Sequence, residues 1–289
     1  MSKKILLSLI VSFLAYATIQ AQDFDDKLTD AKMAMMDGNY ESGLNMCKEL
    51  IASGNADSAQ LAEVYASAGL ASEALKDLPA ALNYYSKAVE LQVPQLSIYD
   101  KLISLSKSEK NDSIYEFALL EKLNAFPDYD EDITKSLANL YANSKQYDKL
   151  LTTTNKLLEW YPEETKYLFF KAVSLQNLDQ VEEAKEYYNK VLKIDPDHPG
   201  ANMTLGIMLF NEGSEIFALR KKEYEAKAKP DRVDYAEYNR GIEKGKAIFR
   251  EALPYLLKAY ESGSYPSLKR VLFNTYVLLE EKEMAEPYR

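Results

Sequence analysis

Residue types able to carry bond-making chemistry are scarce in this chain: one histidine, His198, and one cysteine, Cys47, among 289 residues. Metal coordination needs several His, Cys or carboxylate groups converging on one point, and acid–base work needs a positioned pair. His198 stands in a short run with two prolines and a glycine, between Asp195 and Gly200, and is read as a turn residue. Cys47 falls at an apolar position of a helical pattern and is read as a packing residue rather than a reactive thiol. As the single cysteine it has no intramolecular disulfide partner. The acidic pairs Glu182-Glu183 and Glu280-Glu281 read as solvated helix faces and turns. No phosphate-cradling glycine loop and no G-x-S-x-G elbow is present in the sequence. The expectation is a protein that is not an enzyme and that takes neither cofactor nor metal.

What the sequence offers instead is surface chemistry. Residues 220–250 hold ten basic side chains against six acidic ones, interleaved with Tyr224, Tyr235 and Tyr238, in a chain of net charge −10. One reading is a docking arm for an acidic partner. The other is a solvated helical face with ion pairs at i,i+4. The overall acidity argues against general binding to nucleic acid or to anionic membranes.

The elements that position these residues come from a repeat. Ala172 and Gly206 are small residues of successive helices and lie 34 positions apart; one step earlier is Ala138, and Pro162 and Pro196 keep the same spacing. Within one period, Leu168, Ala172 and Leu175 form one apolar stripe, and Ala184, Tyr188 and Val191 another, at helical intervals. Two such helices cannot bury their apolar faces alone, so neighbouring pairs must stack on a shared core. The set Ala172, Ala184, Tyr188, Val191 and Pro196 resembles the tetratricopeptide repeat (TPR) family, whose pattern runs W-x2-L-G-x2-Y, then A-x3-F, then P. The resemblance implies an all-α, right-handed superhelical solenoid of antiparallel helix pairs.

Along the chain, residues 1–21 have the layout of a secretory signal peptide, with Lys3 and Lys4, an apolar run from Ile5 to Ala17 and small residues after it. Cleavage is expected after Ala21, with Ala17 as the other site. Residues 22–289 are expected to form the solenoid. Repeats fall at about 24–55, with Ala31; 62–94, with Gly69 and Ala81; a divergent 96–127, where Tyr115 replaces a small residue; 131–162, with Ala138; and 165–198. The first junction, at Ser53-Gly54-Asn55, carries an insertion. Trp160 is read as a packing plug between units. The sixth repeat, 199–263, keeps Gly206 and Ala252 but contains an insert at 214–250. That insert is either a degenerate extra repeat or, the preferred reading, an extension of both helices that turns near Pro230-Asp231, with Asp231 capping the returning helix. Residues 265–289 form a terminal cap helix.

The resemblance also implies a concave groove lined by the first helix of each pair, which accepts segments of other proteins. The groove residues expected on this basis are Lys135 and Asn139, then Lys166, Phe169 and Val173, then Met203, Ile207 and Phe210. Some family members clamp a C-terminal carboxylate with a Lys and an Asn one turn apart, as Lys135 and Asn139 resemble, but Phe170 stands where the next clamp residue would be Asn. The apolar members suggest a floor for a hydrophobic or amphipathic segment, or packing against the insert. The functional expectation is a protein-binding scaffold of the cell envelope, periplasmic or outer-membrane associated, with no integral span after signal cleavage. The alternative is an accessory protein that binds a small ligand or glycan in the groove.

Overall fold

A computed structural model of the protein describes residues 22–289 apart from position 264; the expected leader, 1–21, lies outside the described residues. The described residues divide into two compact units, the first ending at Leu140 and the second beginning at Tyr141. Among the described residues all regular structure is helical. The fold class is the expected one: all-α, TPR-type stacked helix pairs with an extended helical hairpin near the C-terminus.

In the first unit, α1 (22–36) pairs with α2 (Tyr40–Ser53), α3 (Ser58–Ala74) with α4 (Leu78–Glu90), and α5 (Leu96–Ser108) with α6 (Asp112–Ala125). A short 3₁₀ turn then leads into α7 (Asp130–Asn143), within which the division between the units falls. Two clusters of buried side chains fill this unit. One joins α1, α2 and α3 through Phe24, Ala31, Cys47 and Val64; the other joins α3 to α6 through Ala81, Tyr85, Tyr99 and Leu102. The insertion at the first junction is absorbed by Gly54, left-handed at φ 68°, and by Asp57, whose side chain and Gln60 form a reciprocal cap on α3.

The second unit continues with α8 (Tyr147–Trp160), α9 (Thr165–Asn177), α10 (Val181–Ile194), α11 (Pro199–Glu225), α12 (Arg232–Glu261), α13 (Leu268–Leu278) and α14 (Lys282–Ala285). Its cores are Leu168, Ala172, Tyr188 and Leu205 between α9, α10 and α11, and Ala252, Leu256 and Leu272 between α12 and α13. The repeat alanines at 31, 81, 138, 172, 184 and 252 are all fully buried, which is why the positions admit nothing larger. Trp160 is not a buried plug: as the last residue of α8 it is 39% exposed and carries the Lys156 ammonium 5.4 Å above its ring.

The turns inside the pairs share one closure that the sequence does not advertise. The second residue after the first helix adopts a left-handed backbone at Gly38 (φ 83°), Lys76 (63°), Lys110 (54°), Lys145 (57°), Asp179 (61°) and Glu280 (66°). The following amide then donates to a carbonyl five positions back, as in Asp77 N to Ser72 O (2.9 Å) and Gln180 N to Leu175 O (2.9 Å). This is the Schellman closure, in which glycine is the usual left-handed residue. Only the first of these pairs has it.

Candidate docking surfaces

The expected groove residues lie on α7, α9 and α11. Lys135 of α7 pairs with Glu131 one turn earlier, Nζ to Oε1 2.5 Å, and Asn139 is exposed on the same helix. On α9, Lys166 is exposed with its ammonium 5.5 Å from the Phe170 ring centroid. Phe169 turns inward: its ring meets Tyr188 edge-on at 5.8 Å, lies 4.8 Å from His198, and occupies the space over Gly200, where a Cβ would stand 2.6 Å from Cζ. Val173 packs against the same core, Met203 and Ile207 against Leu256 and its neighbours, and Phe210 against Phe249 at 5.6 Å. All five apolar residues remain partly exposed, but each uses a large part of its surface to join its helix to the next one. They act as mortar between α9, α10, α11 and α12.

The insert is a pair of long helices. α11 has 27 residues and α12 has 30, against 13 in α9 and 14 in α10. The excess of roughly 14 residues per helix extends the hairpin by about 20 Å. Asp231 accepts from the amides of Val233 and Asp234, and the Asp234 side chain accepts in return from Asp231 N, so α12 starts on a complete capping box.

A run of glycine notches holds the arm together. Gly206 and Gly213 on α11 receive Leu256 and Phe249 of α12; farther out the roles exchange, and Gly245 and Gly241 on α12 receive Phe217 and the stem of Arg220. Toward the tip the seam continues with Tyr224 against Tyr238, centroids 5.0 Å apart, and ends in the ion pair of Lys227 with Asp234. At the base, Lys246 is buried and bridges Glu243 (3.4 Å) and Glu280 in the turn after α13 (3.1 Å).

Charge pairing uses only part of the arm's basic groups. Arg220 pairs with Glu223 at 2.7 Å and Lys221 with Glu225 at 3.9 Å. Lys222, Lys229, Arg232, Arg240 and Lys244 are exposed and make no ion pair among the described residues. Beside them Val233 is 64% and Tyr235 53% exposed.

The two groups singled out for possible chemistry have structural roles. Burial of Cys47 pushes its thiol up to about 11, against a smaller opposing effect of the Lys32 charge. His198 caps α11, its Nδ1 accepting from Ala201 N at 3.2 Å. Among the described residues, no three His, Cys, Asp or Glu side chains stand together so as to hold a metal ion. One polar feature escaped the sequence reading. The buried Tyr85 hydroxyl donates to Glu73 Oε2 (2.6 Å), which also receives Lys101 Nζ (2.8 Å), and at the matching repeat position Tyr188 donates to Gln176 Oε1 (2.6 Å). The signal was present, since each acceptor lies twelve residues before its tyrosine. Burial pushes the Tyr85 phenol up, the neighbouring Glu73 carboxylate adds to this, and burial likewise pushes Tyr188 up to about 12. For Glu73 burial acts upward, but the bonds from Lys101 and Tyr85 outweigh it and leave the carboxyl lowered.

Residues 165–198, spanning α9 and α10, match the tetratricopeptide repeat family. The BBSome complex member BBS4 of Mus musculus is 23% identical over 143 residues, which are 50% of this chain and 27% of that protein. The chain thus spans about a quarter of the length of the curated relatives it matches. A solved structure from Bacteroides ovatus ATCC 8483 is 19% identical, covering 77% of this chain and 99% of its own, with a TM-score of 0.47. Pseudomonas aeruginosa PilF is 14% identical, with 80% and 90% coverage and a TM-score of 0.46. Among the described residues no helix is long and apolar enough to cross a membrane.

Proposed function

Taking the chain as a tetratricopeptide-repeat protein, we propose that it is a non-catalytic scaffold that holds a segment of another protein within a cell-envelope complex. The observation that carries this reading is the arm of α11 and α12. It is a pair of helices built about 20 Å longer than the repeat needs, stiffened by glycine notches, and fitted at its outer end with exposed tyrosine and unpaired cations. The outer part of that hairpin lies beyond the repeat cores, which take Leu205 and Leu256 from its base, and exposed Tyr and Arg are the residue types that anchor protein interfaces. The name of the mammalian relative, a member of a protein complex, agrees with a scaffold. Export to the periplasm or outer membrane rests on the leader sequence, and N-terminal sequencing of the mature protein, expected to begin at Gln22, checks it.

The test is chemical crosslinking in the native host, comparing the intact protein with a form whose residues 222–239 are replaced by a short linker. A discrete partner held by the intact form and lost with the tip supports the scaffold and places docking on the arm. Equal capture by both supports the scaffold and moves docking to the first helices, where Lys166→Glu is the next variant. No partner in either form, across all cell fractions, overturns the scaffold reading.

A further inference from the structure

The outer arm differs in charge from the rest of the chain. Residues 220–250 carry a net charge of +4, ten basic against six acidic side chains, within a chain of net −10. Three of the six acids already hold Arg220, Lys221 and Lys227 in ion pairs, a fourth, Asp231, caps α12, and a fifth, Glu243, pairs with Lys246. This leaves Lys222, Lys229, Arg232 and Arg240 near the tip with their charge directed to solvent. Their only uncommitted acidic neighbour on the arm is Glu237, which makes no ion pair among the described residues.

Resting on the scaffold reading, we propose that the arm tip docks an acidic, extended segment of a partner protein that also carries aromatic or aliphatic side chains. Its carboxylates meet Lys222, Lys229, Arg232 and Arg240, and its apolar side chains lie on Tyr235 and Val233. Charge complementarity identifies the occupant: projecting cations from an acidic body favour encounter with anionic groups. The exposed apolar pair supplies the contact area that charge alone does not. The interspersed acids favour a protein over a lipid surface. A uniform sheet of anionic headgroups attracts clusters of basic residues and would repel Glu223, Glu225 and Glu237, whereas a peptide places single carboxylates between them.

The test uses the whole protein and a fluorescein-labelled decapeptide of alternating Glu-Asp and Phe or Leu, with a second peptide in which every acid is Lys. Anisotropy titrations at low and high salt are run for the native protein and for a variant combining Lys222→Glu, Lys229→Glu, Arg232→Glu and Arg240→Glu. All four side chains are exposed, and circular dichroism confirms that the variant is folded. Expected are binding of the acidic peptide in the micromolar range, a loss of at least tenfold in the variant, weakening with salt, and no binding of the Lys peptide. Tyr235→Ser, with its charges intact, is expected to weaken binding about threefold to tenfold. The proposal is overturned if the native protein ignores the acidic peptide, if the charge-reversed variant binds it equally well, or if phosphatidylglycerol vesicles bind the tip while the peptide does not. Concentration-dependent self-association abolished by the same four substitutions, without peptide binding, would give the site to a second copy instead and also overturn it. Failure here, with a crosslinked partner still captured by the intact protein, leaves the scaffold standing and removes only the acidic segment.

Discussion

Phe249 lies where a side chain on Gly213 would begin: a Cβ there would stand 2.8 Å from the ring's Cε1. Alanine in place of a mid-helix glycine ordinarily stabilises by about 1 kcal/mol. Here the ring is fully buried and wedged between Phe210 and Phe217, at 5.6 and 5.3 Å, so it has nowhere to move and the sign reverses. Gly213→Ala is expected to lower stability by about 1–3 kcal/mol, read as a lower urea midpoint with unchanged helical signal. A higher midpoint would show that the seam has slack.

The left-handed lysines of the turns give the opposite sign. A residue with a Cβ pays about 1–2 kcal/mol for that conformation, and glycine's greater freedom in the unfolded chain offsets part of the gain. Lys76→Gly, Lys110→Gly and Lys145→Gly are each expected to raise stability by about 0.5–1 kcal/mol. Asp179→Gly is expected to gain less, because Asp tolerates this region better. Thermal melts of the four variants check the order as well as the sign.

The two repeat tyrosines separate a charged from a neutral acceptor. Tyr85→Phe removes a bond to the Glu73 carboxylate and is expected to cost about 1.5–3 kcal/mol, whereas Tyr188→Phe, which loses the Gln176 amide oxygen, is expected to cost about 0.5–1.5 kcal/mol. In a Glu73→Gln background the Tyr85→Phe cost is expected to fall to the neutral value. Chemical denaturation of this small set is sufficient.

Alkaline pH gives a further check. With the Cys47 thiol at about 11 in the fold against an ordinary 9.0, the unfolded chain releases this proton first. The associated stability is therefore complete below about pH 9 and is lost as pH rises toward 11; the upward-shifted Tyr85 and Tyr188 phenols act in the same direction. Stability is expected to fall across that window. At pH 8, thiol labelling is expected to be slow in the native protein and fast in denaturant. Rapid labelling without denaturant would show that Cys47 is accessible.

The repeat was readable because its information lies in volumes at fixed spacing. Ala31, Ala81, Ala172 and Ala184 are small where helices touch, and no other physical requirement competes at those positions. The extended hairpin was readable for a similar reason, since the phase resumes at Ala252 after a stretch of strong helix formers. The turns were hidden because the residues in the glycine position are mostly Lys, Asp and Glu, whose strain is compensated by the packing of the flanking helices rather than by local propensity. The inward role of Phe169 was hidden too: helical phase places it on the groove side of α9, and only the approach of Gly200, which leaves space over its own Cα, shows that α11 lies close enough to cover the ring. Trp160 misled by size alone: a large aromatic suggests a buried plug, yet at the end of its helix it stays 39% exposed.

The alternating seam of α11 and α12 also fixes how the arm's length can vary. Leu256, Phe249, Phe217 and Arg220 each fill a glycine notch on the opposite helix, so deleting a residue from one helix alone would turn everything beyond that point by about 100° and swing its side of the seam off the other helix. Length changes without moving the seam only by matched additions to both helices close to a whole number of turns, as seven residues for about two turns, adding about 10.5 Å. The reach of the arm is therefore a stepped quantity, and chains that share this hairpin are expected to differ in paired blocks on either side of the tip, never by a single unbalanced residue.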